Sequence, residues 1–164
     1  MDTREAAARA FLVSAFFALA LTLGVAGPAA AQDPGDQILP GCGICYPSGY
    51  DPNTVGEVVG KVSGIEIPPD GPVRFTVSDE EERWVVLASP AWFWTEANVR
   101  LAAGETVAVR GSKSLGADGK LYIVARTIDR RDGSPAIQLR DSRGVPLWHG
   151  NHRGGGMGGG MRRR

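Results

Sequence analysis

The stretch that decides the fold is residues 73–99, VRFTVSDEEERWVVLASPAWFWTEANV. Its first residues, 73–77, alternate between apolar and polar side chains, which is typical of a strand with one buried face. An acidic turn at 79–82 then leads into residues 83–89, a run rich in Trp, Val and Leu. The two runs predict an antiparallel hairpin with one apolar inner face.

The strand pattern breaks directly after this hairpin. Residues 90–99 carry Trp92, Phe93 and Trp94 in a row, and no alternation continues through them. A short helix or an ordered loop fits this segment best. A new strand pattern begins only at Thr106.

Further strands flank this stretch on both sides. A first strand is predicted at 55–67, where three glycines permit the strong coiling that closes a small barrel. The fourth strand is expected to direct Val107 inward and Ala108 outward. A fifth strand is predicted at 121–129 and a short sixth at 136–140.

The order of these elements predicts the fold class. Three strands, a helix-like connection and two further strands are the order of an OB-fold, a Greek-key barrel. An immunoglobulin-type sandwich would need about seven strands and has no such connection. We therefore predict an all-β protein with a small five- to six-stranded OB-like barrel over residues 54–148. A short helix or loop lies between strands 3 and 4, and the termini are expected to be disordered.

The N-terminal segment is typical of a secretory signal peptide. Residues 10–26 form an apolar run that follows Arg4 and Arg9, and small residues lead up to Ala31. We expect cleavage after Ala31, so that residues 1–31 are a signal peptide and the mature protein is periplasmic or secreted. Two acidic residues offset the early arginines, and this leaves a retained membrane anchor open as the alternative.

Residues 32–53 are predicted to be a linker without regular secondary structure, because prolines and glycines interrupt every apolar pattern. The linker contains the two cysteines of the chain, Cys42 and Cys45, in a Cys-x-x-Cys motif. In an exported protein a disulfide, local or intermolecular, is the favoured interpretation, and redox or metal use is the alternative. Covalent haem is disfavoured, because Tyr46 stands where a c-type site has His.

The C-terminal residues 149–164 are rich in Gly, Arg and Met and are predicted to be disordered. Four side chains of this tail are of the type that ligates copper or nickel, although a Gly-rich segment imposes no geometry on them. They are His149, His152, Met157 and Met161. The alternative is a solvated basic extension that contacts anionic lipid or an acidic partner.

Trp92, Phe93 and Trp94 are the candidate binding residues of the barrel. Barrels of this class bind oligonucleotides or sugars on exposed aromatic rings, but such rings also fill the open end of a barrel. Three successive residues cannot all be buried by one core, so at least one ring is expected to stay accessible. We expect Trp92 to pack with Val99 and Leu101 against the barrel end, and Phe93 or Trp94 to remain exposed.

Catalytic motifs are absent from the sequence. It contains no nucleophile elbow, phosphate-binding loop or zinc-protease motif, and both histidines lie outside the predicted core. We therefore predict no enzymatic activity and no cofactor. Nucleic acid is disfavoured as a partner, because the predicted domain has no basic surplus. An envelope protein or a small ligand is the expected partner.

Three further motifs carry a resemblance to a known family. They are Ser-Pro-Ala-Trp-Phe at 89–93, a Leu-x-x-Gly-Glu-x-Val-x-Val-x-Gly pattern at 101–111, and Leu-Arg-Asp-x-x-Gly-x-Pro-x-Trp at 139–148. Over residues 55–150 the chain resembles exported bacterial OB-like domains of the MamS/MamX magnetosome type. The third motif is the sharpest of the three.

The resemblance implies an exported barrel without a defined biochemical activity. Some members of that group carry Cys-x-x-Cys-His haem motifs and act in iron redox chemistry, but Tyr46 replaces the His here. The sequence thus favours an exported, non-enzymatic β-barrel that binds or scaffolds an envelope partner. The alternative is a periplasmic redox or metal accessory protein, handling iron or copper, that uses the Cys-x-x-Cys and the His and Met residues of the tail.

Overall fold

Five strands wind into a closed barrel in the computed structural model, which describes residues 35–149. The elements in chain order are β1 (Gln37–Ile38), β2 (Cys45–Tyr46), a single 3-10 turn (Pro52–Thr54), β3 (Val55–Glu66), β4 (Pro72–Ser78), β5 (Arg83–Pro90), α1 (Ala91–Glu96), β6 (Thr106–Leu115), β7 (Leu121–Asp129) and β8 (Ile137–Gln138). Within this range no helix has the length and apolar character needed to cross a membrane. The predicted signal peptide and the tail beyond His149 lie outside the described residues.

The pairing of the strands is that of an OB-fold. Antiparallel pairs run in the order β5-β4-β3-β6-β7, and the short β8 adds to β7. A parallel pair closes the barrel, in which Trp84 of β5 lies opposite Leu121 of β7 and Leu87 lies opposite Val124. The predicted five- to six-stranded OB-like barrel, with a short helix after its third strand, is confirmed.

The barrel interior is filled by the apolar faces that the alternation predicted. Val73, Phe75 and Val77 of β4 are buried, and so is Val107 of β6. Ala108 lies on the outer face as predicted, since it pairs with the exposed residues Val59 and Asp129, although only 6% of Ala108 itself is exposed. Its methyl group lies between directly paired residues of β3 and β7, and their larger side chains stand on the same face of the sheet and shield it.

Two glycines allow neighbouring strands to approach closely. A Cβ on Gly111 would lie 2.1 Å from the carbonyl oxygen of Val124, at the point where the register of β6 against β7 shifts. A Cβ on Gly60 would lie 2.5 Å from the carbonyl oxygen of Ser78. These contacts join the middle strands of the barrel, so the strong curvature of the sheet depends on residues without side chains.

The region before the barrel is more ordered than predicted. Residues 32–53 were expected to lack regular secondary structure, but β1 and β2 pair as a short antiparallel hairpin. We call residues 37–50 the N-terminal strap, because Leu39 and Tyr46 are fully buried against the barrel. The Tyr46 hydroxyl donates a hydrogen bond to the carbonyl of Ala88, 3.0 Å away. Isolated apolar residues between prolines and glycines form no periodic pattern, yet Leu39 and Tyr46 both pack into the hydrophobic core.

Replacing Gly111 by Ala should destabilise the protein by about 1–3 kcal/mol, because the new methyl group meets the backbone of β7. Gly56→Ala is the matched control on β3, since a Cβ there meets only the flexible side chain of Lys113. We expect this variant to stay within about 1 kcal/mol of wild type. Urea unfolding measures both, and equal stability of the two variants would contradict the close approach at Gly111.

Candidate functional site

The three aromatic residues of α1 point in different directions. Trp94 is buried, with 4% of its surface exposed, and its ring lies 6.2 Å from that of Phe75 in a tilted arrangement. Trp92 and Phe93 are half-buried. The expectation that one ring stays partly accessible holds, and Trp92 packs partly against the core together with Val99 and Leu101, but the buried ring of the three is Trp94. Helix α1 packs on β4 and β5, and its rotation of about 100° per residue directs Trp94 onto that surface.

Trp92 and Phe93 begin a continuous series of ring contacts, which we call the aromatic row. The rings of Trp92 and Phe93 meet edge to face at 5.9 Å, and Phe93 lies 5.5 Å from Trp148. Trp148 in turn stacks on Tyr46 of the N-terminal strap at 6.2 Å. The row is half-exposed at Trp92 and Phe93 and fully buried at Trp148 and Tyr46. The aromatic row therefore connects the surface of α1 to two further segments of the chain, the N-terminal strap before the barrel strands and the 139–148 loop after them.

Clefts of different chemistry lie beside α1. One has a volume of about 250 Å³ and is bordered by Trp92, by Asp70 in the β3–β4 loop and by Gln37 of the N-terminal strap. Another has a volume of about 420 Å³ and includes the apolar side chains of Ile67 and Val99. The first cleft offers a ring together with a carboxylate and an amide, and the second combines apolar side chains with the charged residues Arg100, Glu105 and Arg130.

Cys42 and Cys45 are both free thiols in the structure, and they differ in their exposure to solvent. Cys45 pairs directly with Ile38, which is 66% exposed, so the two side chains share the outer face. Cys42 is buried, and its thiol donates toward the carbonyl of Leu39. The predicted disulfide, redox or metal use of this pair stays a prediction. Among residues 35–149, no three His, Cys, Asp or Glu side chains converge as a metal site would require.

Of the proposed tail ligands, only His149 lies within the described residues. Its ring is exposed and meets the edge of Trp148 at 6.3 Å. The backbone N–H of His149 donates to the carbonyl of Pro146. His152, Met157 and Met161 lie outside the described residues, so metal binding by the tail also stays a prediction.

The motif at 139–148 forms a tight loop that returns the chain across the end of the barrel. A carboxylate oxygen of Asp141 accepts hydrogen bonds from the backbone N–H groups of Arg143 and Val145, each at 2.9 Å. The backbone of Leu147 donates to that of Leu139, and this closes the loop. As a result, Leu139 and Trp148 are fully buried, which explains the regular spacing of the motif.

Arg140 is the buried cation of this loop, and only 1% of it is exposed. Its guanidinium carbon lies 5.1 Å from the ring centre of Trp148, 5.5 Å from that of Tyr50 and 5.9 Å from that of Tyr46. Its Nη1 donates to the carbonyl of Gly144 at 3.0 Å. Burial lowers the pKa of Arg140 to about 10, so the group is still charged at neutral pH.

Sequence reasoning did not identify Arg140 as a functional candidate. An arginine at the end of a short strand is normally a solvated residue. Its environment is built by Tyr46 and Tyr50 of the N-terminal strap, which are distant in sequence and stand in a segment predicted to be a linker. The one available signal was the position of Arg140 inside the 139–148 motif.

Single Ala replacements distinguish the buried ring from the accessible ones. Trp94→Ala should cost about 3–5 kcal/mol, because it leaves a cavity over Phe75. Trp92→Ala and Phe93→Ala should each cost about 1 kcal/mol, since part of each ring already contacts solvent. Thermal melts of the three variants test this order, and an equal loss at all three positions would contradict it.

The barrel domain matches a known protein family. Residues 54–134 match the family model described as the MamS/MamX magnetosome protein family. The matched region contains α1 and all five barrel strands, but neither the N-terminal strap nor the Arg140 loop. A search of curated proteins finds no match to the chain. The match confirms the resemblance read from the sequence: over residues 54–134 the chain is similar to the MamS/MamX magnetosome protein family.

Proposed function

We propose that this chain is an exported, non-enzymatic binding or scaffold protein of the bacterial envelope, and that it contacts its partner through Trp92 and Phe93. The similarity of residues 54–134 to the MamS/MamX family and the closed barrel support a scaffold-like protein. The main observation in support of this contact surface is that two large aromatic rings on α1 are half-exposed beside a cleft that contains polar groups.

The filled interior of the barrel favours an external contact surface. Apolar side chains from every barrel strand meet in one core, including Val62, Phe75, Val86, Val109 and Ile123. Protein interiors are packed as densely as organic crystals, so a core of this kind has no room for a ligand. A partner would therefore bind on the outside of the barrel.

The surface around Trp92 and Phe93 has the chemistry of a protein interface. Aromatic residues are enriched in the central, energetically dominant part of interfaces. Gln37 and Asp70 line the adjoining cleft and supply an amide and a carboxylate at the rim. Burial of the exposed parts of the two rings would provide the affinity, and the polar rim would provide orientation. An envelope protein fits this surface better than a nucleic acid, because a carboxylate borders the cleft.

Site-specific photo-crosslinking tests this surface. A photoreactive phenylalanine analogue at position 93 should give an adduct of defined mass when full-length protein is irradiated in intact cells. Lys120, which is exposed in the β6–β7 turn, is the control position and should give no such adduct. Excess wild-type protein added to lysed envelopes before irradiation should suppress the adduct.

The competition step separates a binding role from a structural one. The double variant Trp92→Ser/Phe93→Ser should fail to compete, whereas Glu96→Ser, at an exposed position of the same helix, should compete as well as wild type. Melting curves establish that both competitors are folded. Equal adducts at positions 93 and 120, or full competition by the double variant, would reject the proposed surface.

Export is tested separately from binding. Mass spectrometry of the protein recovered from the periplasm should identify Gln32 as the mature N-terminus, because the small residues before it suit signal peptidase. Ala31→Leu should block this cleavage and leave the precursor in the membrane fraction. Recovery of uncleaved wild-type protein, starting at Met1, would contradict the proposed processing.

A further inference from the structure

Arg140 is a buried charge that contacts no carboxylate among residues 35–149. None of the ion pairs within that range includes it, and its single protein hydrogen bond runs from Nη1 to the carbonyl of Gly144. Arginine is rarely buried unless it is paired, because removal of the charge from water is costly. The aromatic rings offset part of this cost, since all three lie within cation–π distance.

The aromatic rings provide no hydrogen-bond acceptor for the N–H groups at one edge of the guanidinium. Aromatic faces attract the charge, but the N–H groups lie in the guanidinium plane and require acceptors in that plane. Nε and Nη2 of Arg140 are buried and have no acceptor among the described residues. These two nitrogens lie on the same edge, and they present the two parallel N–H groups that bind a carboxylate in bidentate fashion.

Two further donors in the same cluster also lack an acceptor. The Tyr50 hydroxyl and the indole Nε1 of Trp148 are buried without a hydrogen-bond partner in the described part of the chain. Both rings lie against the Arg140 guanidinium. Buried polar groups in proteins are almost always paired, so unpaired donors around one cation indicate an acceptor of negative charge.

We propose that the Nε–Nη2 edge of Arg140 is a binding site for the carboxylate group of a small ligand. The ligand accepts two hydrogen bonds from the guanidinium, and the aromatic rings exclude water from the ion pair. Because Arg140 is almost fully buried, the site admits only small carboxylates, of which formate and acetate are the simplest. The site is independent of the partner surface proposed for Trp92 and Phe93, and each can fail without the other.

NMR spectroscopy of the full mature chain tests the site directly. The side-chain ¹⁵Nε–H signal of Arg140 should shift in a saturable manner when sodium formate is added at constant pH and ionic strength. Formamide is the matched neutral probe and should produce no saturable shift. The signal of Arg143, an exposed arginine on the same loop, should move little with either compound.

Two variants relate the response to the proposed contacts. Arg140→Lys keeps the charge but loses the two parallel N–H donors of the guanidinium, and should weaken formate binding about tenfold or more. Tyr50→Phe removes a single hydroxyl and should weaken formate binding less than Arg140→Lys does. If Arg140→Lys does not fold, formate binding by Tyr50→Phe tests the proposed site. Arg143→Lys is the control and should bind formate as wild type does.

Three outcomes would overturn the proposal. The first is an Arg140 signal that does not respond to formate, as it would be if a carboxyl group of the chain itself occupied the edge. The second is an equal response to formamide, and the third is formate binding that Tyr50→Phe and Arg140→Lys leave unchanged.

Discussion

The parallel pairing of β5 with β7 is the interaction on which the rest of the structure depends. It converts an open sheet into a closed barrel and forces every inward side chain into one core. It also rules out a hairpin between β5 and β6, because β4 and β7 occupy both edges of β5 and β6 pairs with β3 and β7 instead. The chain therefore crosses the end of the barrel through α1, and this crossing places Trp94 over the core and leaves Trp92 and Phe93 outside.

The segments that precede and follow the matched family domain contact each other around the guanidinium of Arg140. Tyr46 and Tyr50 come from the N-terminal strap, and Arg140 and Trp148 come from the loop at residues 139–148. Neither segment is long enough to build a core of its own, and each buries its apolar residues only by packing on the barrel and on the other. The aromatic row joins this cluster to α1 through Phe93 and Trp148.

The two candidate sites differ in their physical character. Trp92 and Phe93 lie at the surface, so the binding proposed for them would draw on apolar area that a partner removes from water. Arg140 is buried, so its contribution comes from electrostatic interaction in a medium of low dielectric constant. The first kind of site suits a protein partner and the second suits a small charged group. One domain can carry both candidate sites, because neither uses the barrel interior.

The sequence by itself determined the five barrel strands, their order and the inner face of β4, because alternation of Val73, Phe75 and Val77 is a local property of the chain. It also predicted the position of α1 and the resemblance to the family. Only the tertiary structure decided which ring of α1 is buried, why the N-terminal strap is ordered and where Arg140 lies. These features depend on contacts between residues far apart in the sequence, such as Tyr46 and Trp148, and local periodicity carries no information about such contacts.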